Sequence, residues 1–116
     1  MDDEDYRYDY EYDRSGKQRE EEVIRAYQRD ERMMILVFAQ WCVNHNLDPV
    51  ELYKRAYPTQ ADNPELHAGI ALTVSAEEAG PIADETLLNL LSMFGNDDLG
   101  FVVSEEMEKR KERKRK

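Results

Sequence analysis

Residues 33–43 read MMILVFAQWCV, and this stretch decides the fold. Every side chain in it except Gln40 is apolar, so a helix formed here is apolar on nearly all of its faces. A helix of that kind lies at the centre of a domain, surrounded by other elements. The run is too short to cross a bilayer, which takes about 20 apolar residues. These residues predict the central helix of a small soluble domain.

The helical spacing extends towards the N-terminus, where residues 17–32 hold ten charged side chains in sixteen positions. The pattern predicts one long first helix, from about Lys17 to His45, with a length of roughly 40 Å. A domain of this size is only about 30 Å across. The charged half is therefore expected to project or to pack against a second copy. The predicted dimer seam is Ile24, Tyr27, Glu31 and Met34.

Two proline-containing start signals follow the long helix. Asp48 and Asn63 each precede a proline, which combines a capping side chain with a residue suited to the first helical position. They predict a short helix to Tyr57 and a third helix that ends at Gly80 and Pro81. A fourth helix is predicted from about Ile82 to Phe94, ended by Gly95 and Asn96. The apolar residues assigned to the core of these last two helices are Leu66, Ile70, Val74, Leu87, Leu88, Leu90, Leu91 and Phe94.

The predicted fold class is mainly α, a small domain of four to five helices. Residues 70–74 (IALTV) and 99–103 (LGFVV) also have the composition of strands. The alternative is therefore an α+β domain with a small two-stranded element formed by these segments.

The charge distribution divides the chain into three parts. The net charge is −6 over residues 1–22, −7 over residues 23–103 and +3 over residues 104–116. Residues 1–16 have few side chains to bury and are predicted to form a disordered acidic arm. Residues 17–103 are predicted to form the helical domain, and residues 104–116 a basic, solvated tail.

The sequence contains no pattern typical of an enzyme, a metal site or a cofactor site. Its single cysteine, Cys42, cannot form an internal disulfide, which favours a reducing, cytoplasmic location. Cys42, His45 and His67 are too few for a usual structural zinc site. The glycines are isolated and form no phosphate-binding loop. We therefore expect a non-enzymatic protein without a metal or cofactor.

The charged ends provide the functional hypotheses. The first is an adaptor or regulator that binds a partner protein and associates with itself, with Tyr6, Tyr8, Tyr10 and Tyr12 of the acidic arm as contact residues. The second is a nucleic-acid-associated accessory protein that touches phosphate weakly through its tail. The third is an acidic mimic of nucleic acid, and no membrane binding is expected. The predicted phosphate contacts are Lys109, Arg110, Lys111, Arg113, Lys114, Arg115 and Lys116.

Overall fold

The computed structural model describes residues 21–23, 29–60 and 62–115 of the protein. The chain divides into two units, one ending at Glu31 and the other beginning at Arg32. In the first unit, residues 21–23 and 29–31 are helical and exposed. The predicted disordered arm, residues 1–16, lies outside the described residues. So do residues 17–20 and 24–28 of the predicted long first helix.

The second unit begins with helix α1, residues 32–44, which confirms the predicted central helix. Its buried apolar side chains are spread over a wide face, as the near-absence of polar residues requires. The helix ends in a Schellman motif, with Asn46 at a φ of 57° and the Leu47 N–H bonded to the Cys42 carbonyl at 2.8 Å. The core residues that α1 contributes are Met34, Ile35, Phe38, Ala39, Trp41 and Cys42.

The two proline start signals function as predicted. Helix α2 spans Pro49–Ala56, and the Asp48 side chain accepts the Val50 N–H at 2.9 Å. A 3₁₀ turn at Pro58–Gln60 follows it. Helix α3 spans Pro64–Ala71, and Asn63 accepts the Glu65 N–H at 2.9 Å. Each cap satisfies a backbone donor that the helix itself leaves unpaired.

The sequence predicts a third helix that runs to Gly80 and Pro81, but α3 ends at Ala71, and a separate short helix follows after a loop. The predicted fourth helix is present as a single helix. Helix α4 is the short segment Ala76–Ala79, capped by Ser75, and α5 spans Asp84–Met93. Gly95, at a φ of 70°, ends α5 in a second Schellman motif, as the Gly95–Asn96 signal predicted. Leu87 and Leu91 are fully buried, which confirms their assignment to the core. Val74 is 42% exposed and lies in the loop after α3, so its assignment to the core is wrong.

Helix α6 spans Asp97–Arg115 and packs against α2 and α5. It corrects two predictions. Residues 99–103 are helical, so the alternative two-stranded element is wrong. The predicted domain boundary at Ser104 lies inside α6, because the buried positions continue past it at helical spacing to Glu106, which is 7% exposed. Residues 70–74, the other half of the predicted strand pair, finish α3 and enter a loop.

The fold is mainly α, as predicted, and the described residues contain no strand. Its core is formed where α1 meets the inward faces of the other helices. Within the part of the chain that the structure describes, no helix is long and apolar enough to cross a membrane. The fully buried core residues contributed by α2, α3, α5 and α6 include Leu52, Leu66, Leu87, Leu91, Leu99 and Val103.

Candidate functional site

A cleft of about 490 Å³ lies between the end of α1 and residues 76–84. Two amide side chains of α1 fix the chain that forms its far wall. Gln40 donates to the Val74 carbonyl and accepts the Val74 N–H, both at 2.9 Å. Asn44 donates to the Gly80 carbonyl at 3.1 Å. Because three backbone groups are bonded to one helix, the wall has a defined position.

The polar end of this cleft is a cluster of four side chains from three helices. Asp84, at the start of α5, accepts a hydrogen bond from Trp41 Nε1 at 2.9 Å and one from Arg110 Nη2. Arg110 Nη1 lies 3.1 Å and 3.2 Å from the two ring nitrogens of His45. An atom so close to both nitrogens lies over the ring face, since an in-plane position would overlap the carbon between them. The indole of Trp41 is 4.7 Å from the same ring.

The carboxylate and the imidazole of the cluster have shifted pKa values. Burial alone raises the pKa of Asp84, but the hydrogen bonds from Trp41 and Arg110 and the nearby positive charge outweigh it, so the pKa is lowered. Burial is also the largest influence on His45. It lowers the pKa of the imidazole, and the charges of Arg110 and Lys114 lower it further, against the opposing effect of Asp84.

The arrangement of the cluster suits a role in holding helices together better than a role in acid–base or nucleophilic catalysis. Asp84 is ionised and bonded to two donors, so it is a poor general base. His45 is covered by a guanidinium, and no nucleophile of the described residues is paired with it. Across the described residues, no group of three or more histidine, cysteine or acidic side chains is arranged to hold a metal ion. The bonds of Asp84 and Arg110 join α1, α5 and α6.

A second charged network joins α2 to α6 on another part of the domain. Arg55 donates to Glu106 at 3.0 Å and to Glu105 at 3.1 Å, and Lys109 donates to Glu106 at 2.9 Å. Burial raises the pKa of Glu106, but the two cations more than compensate, so its pKa is lowered. Glu106 is therefore a buried carboxylate that stays charged because its partners are in place.

Beside this network lies a groove of about 310 Å³ between α2 and α6. Its apolar floor comes from Ala56 and from Val102, which is 4% exposed. Phe101 forms one wall and leaves 68% of its surface in contact with solvent. The polar rim consists of Arg55, Asp98 and Glu105. A large aromatic side chain left exposed next to an apolar floor is typical of an interaction surface.

Residues 15–108 match the family model named YxiS. The chain belongs to the YxiS family. A relative from Bacillus subtilis (strain 168), called uncharacterized protein YxiS, is 51% identical over 94 residues. That match covers 80% of this chain and 98% of the relative. No solved structure matches the chain.

The family match includes the groove and most of the His45 cluster. Phe101, Asp98, Arg55, His45 and Asp84 all lie inside residues 15–108. Arg110 and the basic end of α6 lie outside it, and so do residues 1–14, which hold the four predicted contact tyrosines. The groove therefore lies within the residues matched by the YxiS family model, whereas residues 1–14 and 109–116 lie outside that match.

The predicted partner-binding residues are not brought together by the described structure. Tyr6, Tyr8, Tyr10, Tyr12, Ile24 and Tyr27 lie outside the described residues. Glu31 is exposed and falls in the first unit. Met34 is 3% exposed and packs in the core of its own chain, so it is not available to an exposed dimer seam.

Some of the predicted phosphate contacts form ion pairs within the chain, and others are exposed, with no such pair to the described residues. Lys109 and Arg110 are bonded to Glu106 and Asp84 of the same chain. Lys111 lies 3.7 Å from Glu108, in a solvent-exposed pair. Arg113 and Lys114 are exposed. Lys116 lies outside the described residues, and the structure describes only the backbone of Arg115.

The residues weighed for metal or thiol chemistry are dispersed. Cys42 is fully buried, and burial raises the pKa of its thiol far above the usual range, with Asp48 and Glu106 adding to the effect. A thiol in that state is a poor nucleophile. His67 is exposed on α3, whereas His45 lies just after α1, in the cluster with Asp84 and Arg110. The three residues do not form a ligand set.

Sequence reasoning missed Phe101 as a surface residue, because its apolar neighbours also suit a strand. A signal was available. On a helix, Leu99, Val102 and Val103 share one face with Glu106, and Phe101 falls outside that face. An apolar residue outside the buried face of an amphipathic helix is a candidate contact residue. The contact between Asp84 and Arg110 had no comparable sequence signal, since 26 positions separate the two residues.

Proposed function

We propose that this chain is a small non-enzymatic adaptor or regulatory protein that acts by binding another protein. The observation that carries the proposal is Phe101, 68% exposed beside the apolar floor of the α2–α6 groove. Aromatic side chains in such positions supply much of the binding energy of protein interfaces. The groove also lies within the residues matched by the YxiS family model.

The state of the polar side chains supports the same proposal. Arg110 donates to Asp84 and Arg55 donates to Glu106, each bond joining two helices, and the Cys42 thiol is buried. In the described residues, no buried side-chain nitrogen or oxygen lacks a hydrogen-bond partner. The polar groups therefore serve to hold the fold, while exposed apolar surface remains available for binding. A single buried cysteine is in keeping with the cytoplasmic location that we propose.

The test compares two exposed apolar side chains in a pull-down from host lysate treated with nuclease. The tagged full-length chain carries either Phe101→Ser or the control Met93→Ser, since Met93 is 79% exposed and lies outside the groove. We expect one protein to be enriched by the wild type and by Met93→Ser, and lost at least tenfold with Phe101→Ser. Equal recovery with Phe101→Ser would contradict the proposal.

The four tyrosines of the acidic arm belong to the same proposal as accessory contacts. A chain lacking residues 1–16 tests them in the same pull-down. If Tyr6, Tyr8, Tyr10 and Tyr12 contribute, the partner is recovered more weakly, and if the groove suffices, recovery is unchanged. Replacing the aspartates and glutamates of residues 2–13 by their amides tests the mimic hypothesis. That hypothesis predicts the loss of a partner that itself binds nucleic acid.

A second candidate function is weak contact with nucleic acid, and the exposed cations at the end of α6 favour it. Arg113 and Lys114 are exposed on a helix rather than on an unstructured tail. Such contacts involve phosphate alone and weaken steeply with salt. In a filter-binding assay with duplex DNA, the double variant Arg113→Gln, Lys114→Gln should lower binding at low salt. Unchanged binding would remove this candidate.

A further inference from the structure

We infer that the α2–α6 groove binds a cationic amphipathic segment of a partner protein, with an apolar side chain of that segment against Phe101 and its basic side chains beside Asp98. This inference rests on the proposed function and specifies the chemistry of the partner.

The charges at the groove favour a cation over an anion. Arg55 is the basic residue of the rim, and Glu105 and Glu106 already neutralise it at 3.1 Å and 3.0 Å. Asp98 is exposed in the first turn of α6, and no basic side chain of the described residues forms an ion pair with it. The groove therefore presents an unpaired carboxylate next to apolar surface.

The wider surface has the same sign. Residues 32–108 contain thirteen acidic and three basic residues, a net charge of −10. Of those three bases, Arg32 and Arg55 are held in ion pairs with Glu65, Glu105 and Glu106. Residues 109–116 carry a net charge of +6, but residues 109–115 lie at the C-terminal end of α6, whereas the groove lies near its N-terminal end. The acidic surface around the groove therefore attracts a cationic partner. At physiological salt this attraction acts over roughly 8 Å, so the charges at the groove itself contribute most to it.

The shape of the groove favours a helical or extended segment rather than a flat surface. Its volume of about 310 Å³ accommodates a few side chains, not a whole domain. Phe101 and the buried Val102 offer one apolar contact region, and Asp98 lies one helical turn before Phe101 on α6. A segment with apolar residues on one face and lysine or arginine on the other fits both features, as in helix-in-groove recognition.

The test uses a fluorescent peptide of leucine and lysine, about 15 residues long so that it can form an amphipathic helix. Its binding to the full-length chain is measured by fluorescence anisotropy, against a matched peptide of leucine and glutamate. We expect the lysine peptide to bind and the glutamate peptide not to bind. Binding should weaken several-fold between about 50 mM and about 200 mM salt.

Two variants and two matched controls distinguish the groove from unspecific attraction to an acidic protein. Phe101→Ser should weaken the lysine peptide about tenfold and leave the salt dependence intact, whereas Asp98→Asn should weaken it and flatten the salt dependence. Met93→Ser and Asp62→Asn, both at exposed positions outside the groove, should leave binding unchanged. Circular dichroism and the emission of Trp41 check that each variant is folded.

Several outcomes overturn the inference. One is that the control variants weaken binding as much as the groove variants, which shows attraction to the acidic surface in general. Another is that the glutamate peptide binds equally well. A third is self-association in sedimentation that Phe101→Ser abolishes, which assigns the groove to a second copy. If a lysate partner depends on Phe101 but the lysine peptide does not compete with it, the proposed function stands and only this inference fails.

Discussion

Asp84 shows at the scale of one residue how this domain holds its last helix. It is the first residue of α5, where a carboxylate also benefits from the helix dipole. Its two oxygens accept from Trp41 on α1 and Arg110 on α6. Helix-start chemistry predicts an acid at this position, but only the folded chain decides that the acid bonds to an indole and a guanidinium.

Replacing Asp84 by Asn removes the charge and keeps the shape. We expect the free energy of unfolding to fall by about 1–2 kcal/mol, because Arg110 loses its ionic partner at a half-buried position. The folded-state pKa of Asp84 is lowered, so its stabilisation is present above the ordinary carboxylate range and is lost as pH falls through the folded-state pKa. Urea unfolding of Asp84→Asn, with Asp62→Asn as control, measures both effects. Equal stability of the two variants would contradict this role.

His45 gives the domain a separate pH dependence. Folding lowers its pKa below the ordinary value of 6.5, so the unfolded chain binds more protons in that range. The stability associated with neutral His45 is present above that value and decreases as pH falls through it. We expect the free energy of unfolding to decline between about pH 7.5 and pH 5.5, and His45→Gln to make the decline shallower. His67→Gln, at an exposed histidine, should retain the wild-type decline, and a shallower curve for that variant instead would refute the assignment.

At the scale of elements, α6 is one helix across the boundary that the sequence predicts between the helical domain and the basic tail. Its first half is apolar and acidic, its second half basic, and the change in composition hides one continuous helix. The inward face of α6 continues into the basic half through Glu106 and Arg110. Glu106 is bonded to Arg55 on α2, and Arg110 is bonded to Asp84 on α5. Charged residues on a buried face have hydrogen-bond partners only once the other helices pack against them, and local composition does not show this packing.

Truncation tests which part of α6 contributes to stability, the part with ion pairs to other helices or the exposed C-terminal end. A chain ending after Glu108 loses Lys109 and Arg110, which leaves Glu106 and Asp84 with fewer cations. We expect its free energy of unfolding to fall by about 2 kcal/mol or more. A chain ending after Glu112 keeps both cations and should match the full-length protein in thermal denaturation. Similar melting of all three chains would show that the α6 contacts are unimportant for stability.

The approach of α1 and α3 depends on Gly69. A Cβ atom at this position would lie 2.9 Å from Ile35 Cγ2, a buried branched side chain, so an added methyl group forces the helices apart. We expect Gly69→Ala to destabilise the domain by about 1 kcal/mol or more. Gly100→Ala is the control, because no atom lies within 4 Å of its Cβ position and alanine favours helix. That variant should gain about 0.5–1 kcal/mol, and the same sign for both substitutions would contradict the packing argument.

At the scale of the whole molecule, the uneven charge is the dominant physical feature. The chain carries −10 overall, and residues 32–108 alone account for an equal net charge, with the basic end of α6 offsetting the acidic N-terminal part. Repulsion among exposed carboxylates opposes folding of the acidic domain. The short ion pairs at Glu106 and Asp84 are partly buried and are therefore screened less by salt.

Moderate salt should consequently stabilise the protein. We expect the midpoint of thermal unfolding to rise by roughly 2–5 °C between low salt and about 0.3 M NaCl, because long-range repulsion is screened more than the partly buried pairs. Exposed pairs such as Arg32–Glu65 contribute little to stability and do not reverse the sign. KCl should give the same shift, which excludes a specific sodium effect. A midpoint that falls with salt would mean that ion pairs outweigh the repulsion.

The sequence by itself determined the local elements of this protein. The apolar run at residues 33–43 specified the central helix, and Asp48, Asn63 and Gly95 specified where helices begin and end, because capping depends on neighbours in the chain. The tertiary structure alone decided that α6 continues to Arg115, that Asp84 meets Arg110, and that Phe101 is left exposed beside α2. Each of these depends on which helices pack together, and partners that are distant in sequence determine whether a charged residue is buried or an apolar one is left in solvent.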